Sequence, residues 1–193
     1  MTVAKHNELR RPPTPLAGIA VGDAVVYASH GIGRVTRRDA GSAQQAECVT
    51  LEFDGGLSVT LPVERALWCL RAPCGEKELA KVQRTLRAPA SACDESWRVR
   101  MKDNTAKVAA GAAVELAEIV RDGANRQPKV NSRGDVKELS LAERQLYLQA
   151  RKLLVDEVAE ARGVASDDAD AWITVQLSRP SASAAASGAP ESA

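Results

Sequence analysis

The spacing of apolar residues changes once along this chain, near Pro73, and that change limits the folds open to it. Before Pro73 the apolar residues alternate or form short β-branched runs, which is typical of strands. After it they recur every three or four residues, which is typical of amphipathic helices. We therefore predict an α+β multidomain protein, with a sheet domain over 18–73 and a helical domain over 74–178. The proline-containing leader, 1–17, and the Ser/Ala/Pro-rich tail, 179–193, are predicted to be disordered.

The sheet domain is predicted from five strand-length segments. Glycines, Pro62 and the Asp54-Gly55-Gly56 turn separate them. Asp-Gly between two such segments is a strong hairpin signal, because those positions tolerate positive φ. The pattern predicts a small, strongly bent sheet or barrel of the SH3 or Tudor type. The segments are residues 23–27, 34–37, 48–53, 57–61 and 67–71.

The sheet domain carries no recognisable catalytic pattern. Its carboxylates are scattered without a partner histidine, and Ser29-His30 has no supporting acid at a known spacing. Gly31-Ile32-Gly33 opens no helix, so we interpret it as a tight connection between strands rather than a phosphate loop. A domain of this kind is expected to offer a sheet edge or face to a protein.

After Pro73 the pattern predicts a bundle of four or five helices with an apolar side facing inward. Trp172 is expected to anchor the last helix, and residues 125–138 are expected to form a polar surface loop. In order, the helices are residues 76–87; a helix carrying Trp97, capped by Ser91 or Asp94 and interrupted at Gly111; residues 112–122, ended by Gly123; a helix from the Ser140-x-x-Glu143 capping box to Ala161; and residues 168–177.

Charge is unevenly distributed although the net charge is only +1. Residues 76–152 carry 16 basic and 11 acidic side chains, a balance of +5, whereas residues 153–193 carry 2 and 7, a balance of −5. The basic middle section is where an anionic polymer would bind, although solvated helical surfaces show a similar bias.

Several other function classes are disfavoured. The four cysteines, Cys48, Cys69, Cys74 and Cys93, lack metal-site spacing and are predicted to be reduced thiols in a cytosolic protein. No base, nucleophile or metal constellation can be assembled, so we predict neither an enzyme nor a bound cofactor or metal. The chain has no apolar run of about 18 residues, so no membrane span is expected.

The run Trp97-Arg98-Val99-Arg100-Met101-Lys102 has two interpretations. It places one large flat side chain and three cations within two helical turns, which suits holding a phosphate backbone while an apolar ring enters a groove. Yet Trp97, Met101, Thr105 and Val108 also recur at core-packing intervals, and aromatic residues at such spacing are usually buried. The pattern alone favours core packing.

The motifs also carry a resemblance. Their order and spacing resemble the CarD/CdnL family of bacterial transcription regulators, whose N-terminal domain is shared with transcription-repair coupling factor. The resemblance covers roughly residues 18–163. The matching motifs are Val21-Gly22-Asp23-Ala24-Val25-Val26-Tyr27, His30-Gly31-Ile32-Gly33, Leu57-Ser58-Val59-Thr60-Leu61-Pro62, Leu86-Arg87-Ala88-Pro89, Trp97-x-x-Arg100-x-Lys102-x-Asn104, Leu116-Ala117-Glu118-Ile119-Val120-Arg121-Asp122, and Leu139-Ser140-x-x-Glu143-Arg144 followed by Ala150-Arg151-x-Leu153-Leu154.

The resemblance implies a function and a set of site residues. It implies that the β module is Tudor-like and docks on the β subunit of RNA polymerase. It also implies that the helical domain contacts promoter DNA, without reading sequence, at the upstream edge of the melted region. There Trp97 would enter the minor groove and hinder the bubble from closing. The implied DNA-binding residues are Trp97, Arg98, Arg100 and Lys102, and the implied polymerase-binding residues are Arg37, Arg38, Val59 and Thr60.

The chain also departs from the family pattern, and a rival hypothesis remains. Some members carry a basic residue where this chain has Thr60, and the connection over 39–46 has small rather than charged residues. In the rival hypothesis the protein is an SH3- or Tudor-like interaction adaptor, Trp97 is a core residue, and the helical domain has no role on DNA. In the favoured hypothesis it is a monomeric, cytoplasmic regulator of transcription.

Overall fold

The computed structural model describes residues 18–28, 30–42, 45–91, 96–126 and 139–179. Its internal contacts divide the chain into two units, residues 1–73 and 74–193. The expected leader, the expected tail beyond Arg179, and nearly all of the expected polar loop lie outside the described residues. Asp94, one of the two expected caps of the helix that carries Trp97, also lies outside them.

The first unit is a curled antiparallel sheet of five strands with one short helix. The spatial order is β4-β3-β2-β1-β5, and β4 and β5 are the two edges, so the described strands form a half-barrel rather than a closed one. The elements are β1 (Ala24–Tyr27), β2 (Gly31–Asp39), β3 (Cys48–Phe53), β4 (Ser58–Pro62), α1 (Val63–Cys69) and β5 (Leu70–Arg71).

Alternation along the strands builds the core of this unit. On β3, Val49, Leu51 and Phe53 are buried, while the residues between them face outward. The expected hairpin between β3 and β4 is confirmed. Gly55 and Gly56 have φ of 89° and 81°, a conformation that residues with a Cβ rarely adopt, and the Asp54-Gly55-Gly56 turn sets the register of β4 on β3.

Two predictions for this unit are wrong. Most of the expected fifth strand, 67–71, is the end of α1, which begins directly after the extended N-cap residue Pro62. Only Leu70–Arg71 forms strand. The Gly31-Ile32-Gly33 run lies inside β2 rather than between strands. Gly33 is needed there because a Cβ would stand 2.6 Å from Cε1 of Phe53.

The second unit is a bundle of five described helices. Helix α4 packs against α2 and α5, α6 packs against the same two helices, and α3 packs against α4 and α5. Helix α3 has one buried residue, Val108, whereas α4 has five, so α3 lies on the outside of the bundle. The helices are α2 (Glu76–Arg87), α3 (Trp97–Ala110), α4 (Ala113–Arg126), α5 (Leu141–Arg162) and α6 (Ser166–Ser178).

The local signals at most helix ends are confirmed. Helix α2 has the predicted bounds. Gly111 ends α3 with φ 65°, and the Ser140–Glu143 capping box is complete at the start of α5. The expected cap of α3 at Ser91 is wrong, because the helix begins at Trp97 and Ser96 is its N-cap residue, without a side-chain capping bond.

Gly123 does not end α4, which continues to Arg126. It is a packing glycine. A Cβ at this position would overlap Cδ2 of Tyr147, a buried residue of α5. The missing side chain therefore lets the Tyr147 ring lie directly against the backbone of α4. None of the described helices is long and apolar enough to cross a bilayer.

We expect Gly123→Ala to lower the free energy of unfolding of the helical unit by about 1–3 kcal/mol, because the added methyl forces the Tyr147 ring or α4 to move. Helix propensity alone predicts the opposite, a gain of up to about 1 kcal/mol. Urea denaturation followed by circular dichroism measures the sign. Combined with Tyr147→Leu, the same substitution should be neutral or stabilising. Equal stabilisation in both backgrounds would show that the ring is not the constraint.

Candidate nucleic-acid interface

Trp97 is the first residue of α3 and is not a core residue. Its side chain is 46% exposed, and its indole Nε1 donates a hydrogen bond to Oγ of Ser140 at 3.3 Å. Ser140 is the N-cap residue of α5, so the starts of α3 and α5 lie side by side. The rival hypothesis required a buried Trp97, and the structure contradicts that part of it.

The exposure of Trp97 follows from where the neighbouring helix begins. At about 100° per residue, Trp97, Met101 and Val108 lie within about 40° of one another around α3. Val108 is buried and Met101 is partly buried, whereas Trp97 is exposed. Helix α5 covers part of this side of α3, but α5 begins level with Trp97, so less of the protein covers the indole. Regular helical spacing therefore predicts that Trp97 is buried, but α5, the helix that covers this side of α3, has only begun at that level.

Arg100 lies one turn along α3 and is paired rather than exposed. Its Nη2 is 3.4 Å from Oε1 of Glu143, and the two side chains are only 22% and 16% exposed. Burial on its own would raise the pKa of Glu143, but hydrogen bonds from Ser140 and Arg100 outweigh it and hold that pKa below its usual value. The pair joins the first turns of α3 and α5. We call Trp97, Arg100, Ser140 and Glu143 the indole corner.

The exposed cations lie to one side of the ring. Arg98 and Lys102 are exposed and lie about 100° and 140° around α3 from Trp97. Neither forms an ion pair with another residue that the structure describes. Lys107 is different, because its Nζ is 3.0 Å from carboxylate oxygens of both Asp103 and Glu118.

Sequence reasoning did not single out Arg144 as a site residue. It is exposed on the first turn of α5, four residues after Ser140 and so about 40° around the helix from it. Since Ser140 is bonded to Trp97, Arg144 lies on the same side of α5 as the indole corner. Its sequence signals are its place in the Leu139-Ser140-x-x-Glu143-Arg144 motif and a positive charge directly after the capping box, and neither assigns it a site.

A second candidate surface is the outer edge of β4. At the turn, Phe53 N donates to Leu57 O at 2.9 Å. Antiparallel pairs alternate between bonded and non-bonded residues. Because Phe53 and Leu57 form a bonded pair, Ser58 and Thr60 belong to non-bonded pairs. Their backbone N–H and C=O groups therefore point away from β3. No strand within the described ranges pairs with that edge. It is a free edge that presents backbone donors and acceptors.

The expected polymerase-binding residues of β4 face opposite ways. Thr60 is exposed, and its Oγ1 is 3.1 Å from Oγ1 of Thr50 on the outer face of the sheet. Val59 packs against the core of the sheet unit. A partner on the outer face would therefore contact the side chain of Thr60 but not that of Val59.

The two expected polymerase-binding arginines of β2, Arg37 and Arg38, are likewise separated. Arg37 is opposite Thr50 in the register, and its Nε is 2.7 Å from Oδ1 of Asp39 with 71% of the arginine side chain exposed. Arg38 comes next and projects to the other face, where its Nε is 2.6 Å from Oε1 of Glu47. A register shift between Val35 and Arg37 sets which of the two faces outward.

The described residues contain no group of three or more His, Cys, Asp or Glu side chains that could hold a metal ion. Cys48, Cys69 and Cys74 are free thiols, and burial raises the pKa of Cys69. Cys93 lies outside the described residues.

Both units match known domain families. Residues 19–68 match the CarD-like/TRCF RID domain, and residues 81–174 match the CarD C-terminal domain. The chain belongs to the CarD/CdnL family. Together the two matches take in β1 to β4, most of α1 and α2, and the indole corner. The resemblance seen in the sequence motifs is thereby confirmed.

The CarD family gives the two surfaces their context. CarD-like domains belong to transcription factors that interact with RNA polymerase, and the RID domain implies an interaction with its β subunit. The sheet unit with the free β4 edge is therefore the polymerase-interacting part of this CarD-family chain. The indole corner lies in the CarD C-terminal domain.

We expect Glu143→Gln to lower the free energy of unfolding by about 1 kcal/mol at pH 7, the scale of a partly exposed ion pair beside a helix N-terminus. Glutamine keeps the capping-box geometry, so the variant removes mainly charge. Because the folded-state pKa of Glu143 is depressed, its stabilisation is present above the usual value of 4.5 and is lost as pH falls through the folded pKa. The difference between the two proteins should therefore shrink below that pH. A difference that persists at low pH would contradict the charge argument.

Proposed function

We propose that this protein stabilises open promoter complexes of RNA polymerase, with its sheet unit docked on the β subunit and Trp97 inserted in the minor groove at the upstream edge of the melted DNA. The observation that carries the proposal is the half-exposed indole on the first turn of α3, with an exposed Arg98 on the same turn and an exposed Arg144 on the first turn of α5. In the proposal the sheet unit acts as a Tudor-like docking module, and the protein works as a monomer in the bacterial cytoplasm.

The wedge acts through a difference in affinity. A flat apolar ring enters a minor groove by partly unstacking a base step, which costs less where the duplex is already distorted. Trp97 would therefore bind DNA at the edge of a bubble better than relaxed duplex. Only that difference can shift the equilibrium between open and closed complexes. A preference of about 1.4 kcal/mol changes the odds of the open state about tenfold.

The cations divide into two roles in this proposal. Arg98, Lys102 and Arg144 are exposed, so their charges are available to phosphates without reading sequence. Arg100 was expected to join them, but its pairing with Glu143 suits it better to holding the first turn of α3 against α5. The predicted phosphate contacts are therefore Arg98, Lys102 and Arg144, and not Arg100.

Docking on polymerase is proposed to use the free edge of β4. An added strand would bond to the backbone groups of Ser58 and Thr60 that point away from β3. The side chains of Thr60 and Arg37 lie on the outer face and would contact the partner, whereas Val59 supports the strand from the core side. Because backbone groups supply the bonds, this mode tolerates the absence of a basic residue at Thr60.

We expect Trp97→Ala to shorten the lifetime of promoter open complexes about tenfold relative to the parent protein, because the preferential contact with distorted duplex is lost. The lifetime is measured after a competitor challenge with polymerase and promoter DNA. Val99→Ala is the matched control, since Val99 is 50% exposed on the same turn but lies about 160° around the helix from Trp97.

Two outcomes would count against the wedge. A folded Trp97→Ala protein with an unchanged open-complex lifetime would exclude it. Unfolding of the helical unit by the same substitution would instead support the adaptor hypothesis, and the thermal midpoint detects this.

We expect Thr60→Pro to weaken binding of the full chain to RNA polymerase about tenfold. Proline removes an N–H that points away from β3, so the β3–β4 ladder keeps its bonds and the sheet still folds. Thr60→Val keeps the N–H and should bind within about twofold of the parent. Biolayer interferometry on immobilised polymerase gives both affinities. Equal weakening by the two variants would point to the threonine side chain and not to the strand edge.

A further inference from the structure

The hydroxyl of Ser140 is fully used by hydrogen bonds within the indole corner. It accepts one bond from the backbone N–H of Glu143 at 3.3 Å and one from Nε1 of Trp97 at 3.3 Å, and it donates one to Oε2 of Glu143 at 2.8 Å. A serine hydroxyl has one donor and two acceptor positions. The same oxygen therefore caps α5 and holds the indole.

Glu143 completes the arrangement. Its Oε2 accepts from the backbone N–H of Ser140 at 3.2 Å as well as from the hydroxyl, and its Oε1 accepts from Arg100. All of these bonds place the carboxylate as an acceptor, which suits its ionised form. With the carboxylate fixed by α5 and by Arg100, the Ser140 hydroxyl has one favoured direction for its proton. One lone pair of the hydroxyl oxygen accepts from the backbone N–H of Glu143, and the other is then directed at Trp97.

An exposed tryptophan without such a bond would sample several rotamers, since little else restrains a half-exposed ring. The bond to Ser140 turns the N–H edge of the ring toward α5. A partner approaching from solvent then meets the carbon edge, which is the part that can enter between bases without leaving a polar group unpaired. Pre-ordering of this kind reduces the entropy lost on binding.

We propose that the α5 capping box is also the positioning device for the tryptophan, with Ser140 and Glu143 as positioning residues that hold the Trp97 ring in the orientation in which it meets DNA. This inference rests on the proposed function, because an oriented ring matters only if the ring is inserted. It assigns to Ser140 and Glu143 a role beyond starting a helix.

The two roles of Ser140 can be separated by substitution. Glycine at an N-cap position costs only a few tenths of a kcal/mol relative to serine, so Ser140→Gly removes the hydroxyl while nearly preserving the start of α5. Ser140→Thr keeps a hydroxyl that can both cap and accept. Trp97→Phe removes the N–H from the other side while keeping an aromatic ring.

The first measurement needs no polymerase. In a ¹⁵N-labelled full chain, Trp97→Phe assigns the indole N–H signal of Trp97 by its disappearance. We expect Ser140→Gly to shift that signal and speed its exchange with water, and to leave the Trp68 and Trp172 signals in place. Ser140→Thr should retain the parent signal. An indole signal unchanged by Ser140→Gly would overturn the inference whatever the fate of the proposed function.

The second measurement is the open-complex lifetime, arranged as a double-mutant cycle. We expect Ser140→Gly to reduce the stabilisation about threefold, the lower end of what a neutral hydrogen bond contributes. Combined with Trp97→Phe, it should cause no further reduction. An equal reduction in both backgrounds would mean that Ser140 acts only as a cap, and would overturn the inference. If Trp97→Ala leaves the lifetime unchanged, the proposed function fails first, and the exchange measurement still decides whether Ser140 holds the ring.

Discussion

The side-by-side start of two helices is the constraint on which the candidate interface depends. A tryptophan on the inward side of a helix is normally covered by the helix it packs against. Here α5 begins level with the first residue of α3, so the indole has a hydroxyl partner on one side and solvent on the other. Moving either helix start by one turn would bury the ring or detach it from Ser140. The exposure of Trp97 is thus a property of the helix ends and not of its residue type.

The same constraint sorts the charges around the ring. Arg100 is close enough to α5 to pair with Glu143, and the pairing is internal to the bundle. Arg98 and Lys102 are turned away from α5, and their charges are not paired with a carboxylate among the described residues. A cation already paired with a carboxylate contributes little to phosphate binding, because its counter-charge must first be displaced. Closeness to the tryptophan in the sequence therefore does not give these cations the same role.

Local signals predicted the parts of the fold that local chemistry determines. The capping box at Ser140, the glycine that ends α3 and the Asp-Gly turn were readable because each satisfies backbone groups or a positive φ within a few residues. Gly123 was misread because its reason is the ring of Tyr147, which is distant in sequence. The opposite facing of Val59 and Thr60, by contrast, follows from the alternation of side chains along any strand and is predictable from the sequence. The candidate site was found through family motifs, but its internal bonds depend on where two helices meet.

The weak overall charge of the chain is consistent with a division of labour between its two units. A net charge of +1 provides little general attraction for DNA, and non-specific binding by so few exposed cations is expected to be weak. Under the proposed function, docking of the sheet unit on polymerase would remove the need for strong DNA binding, because tethering would raise the effective concentration of Trp97 at the bubble to about the millimolar range. Dissociation constants of about 10⁻⁴ M or tighter then suffice for occupancy at the bubble. In that proposal, a protein that binds DNA weakly when free and well when tethered would act on promoters that polymerase has already engaged, and would leave the rest of the genome largely unoccupied.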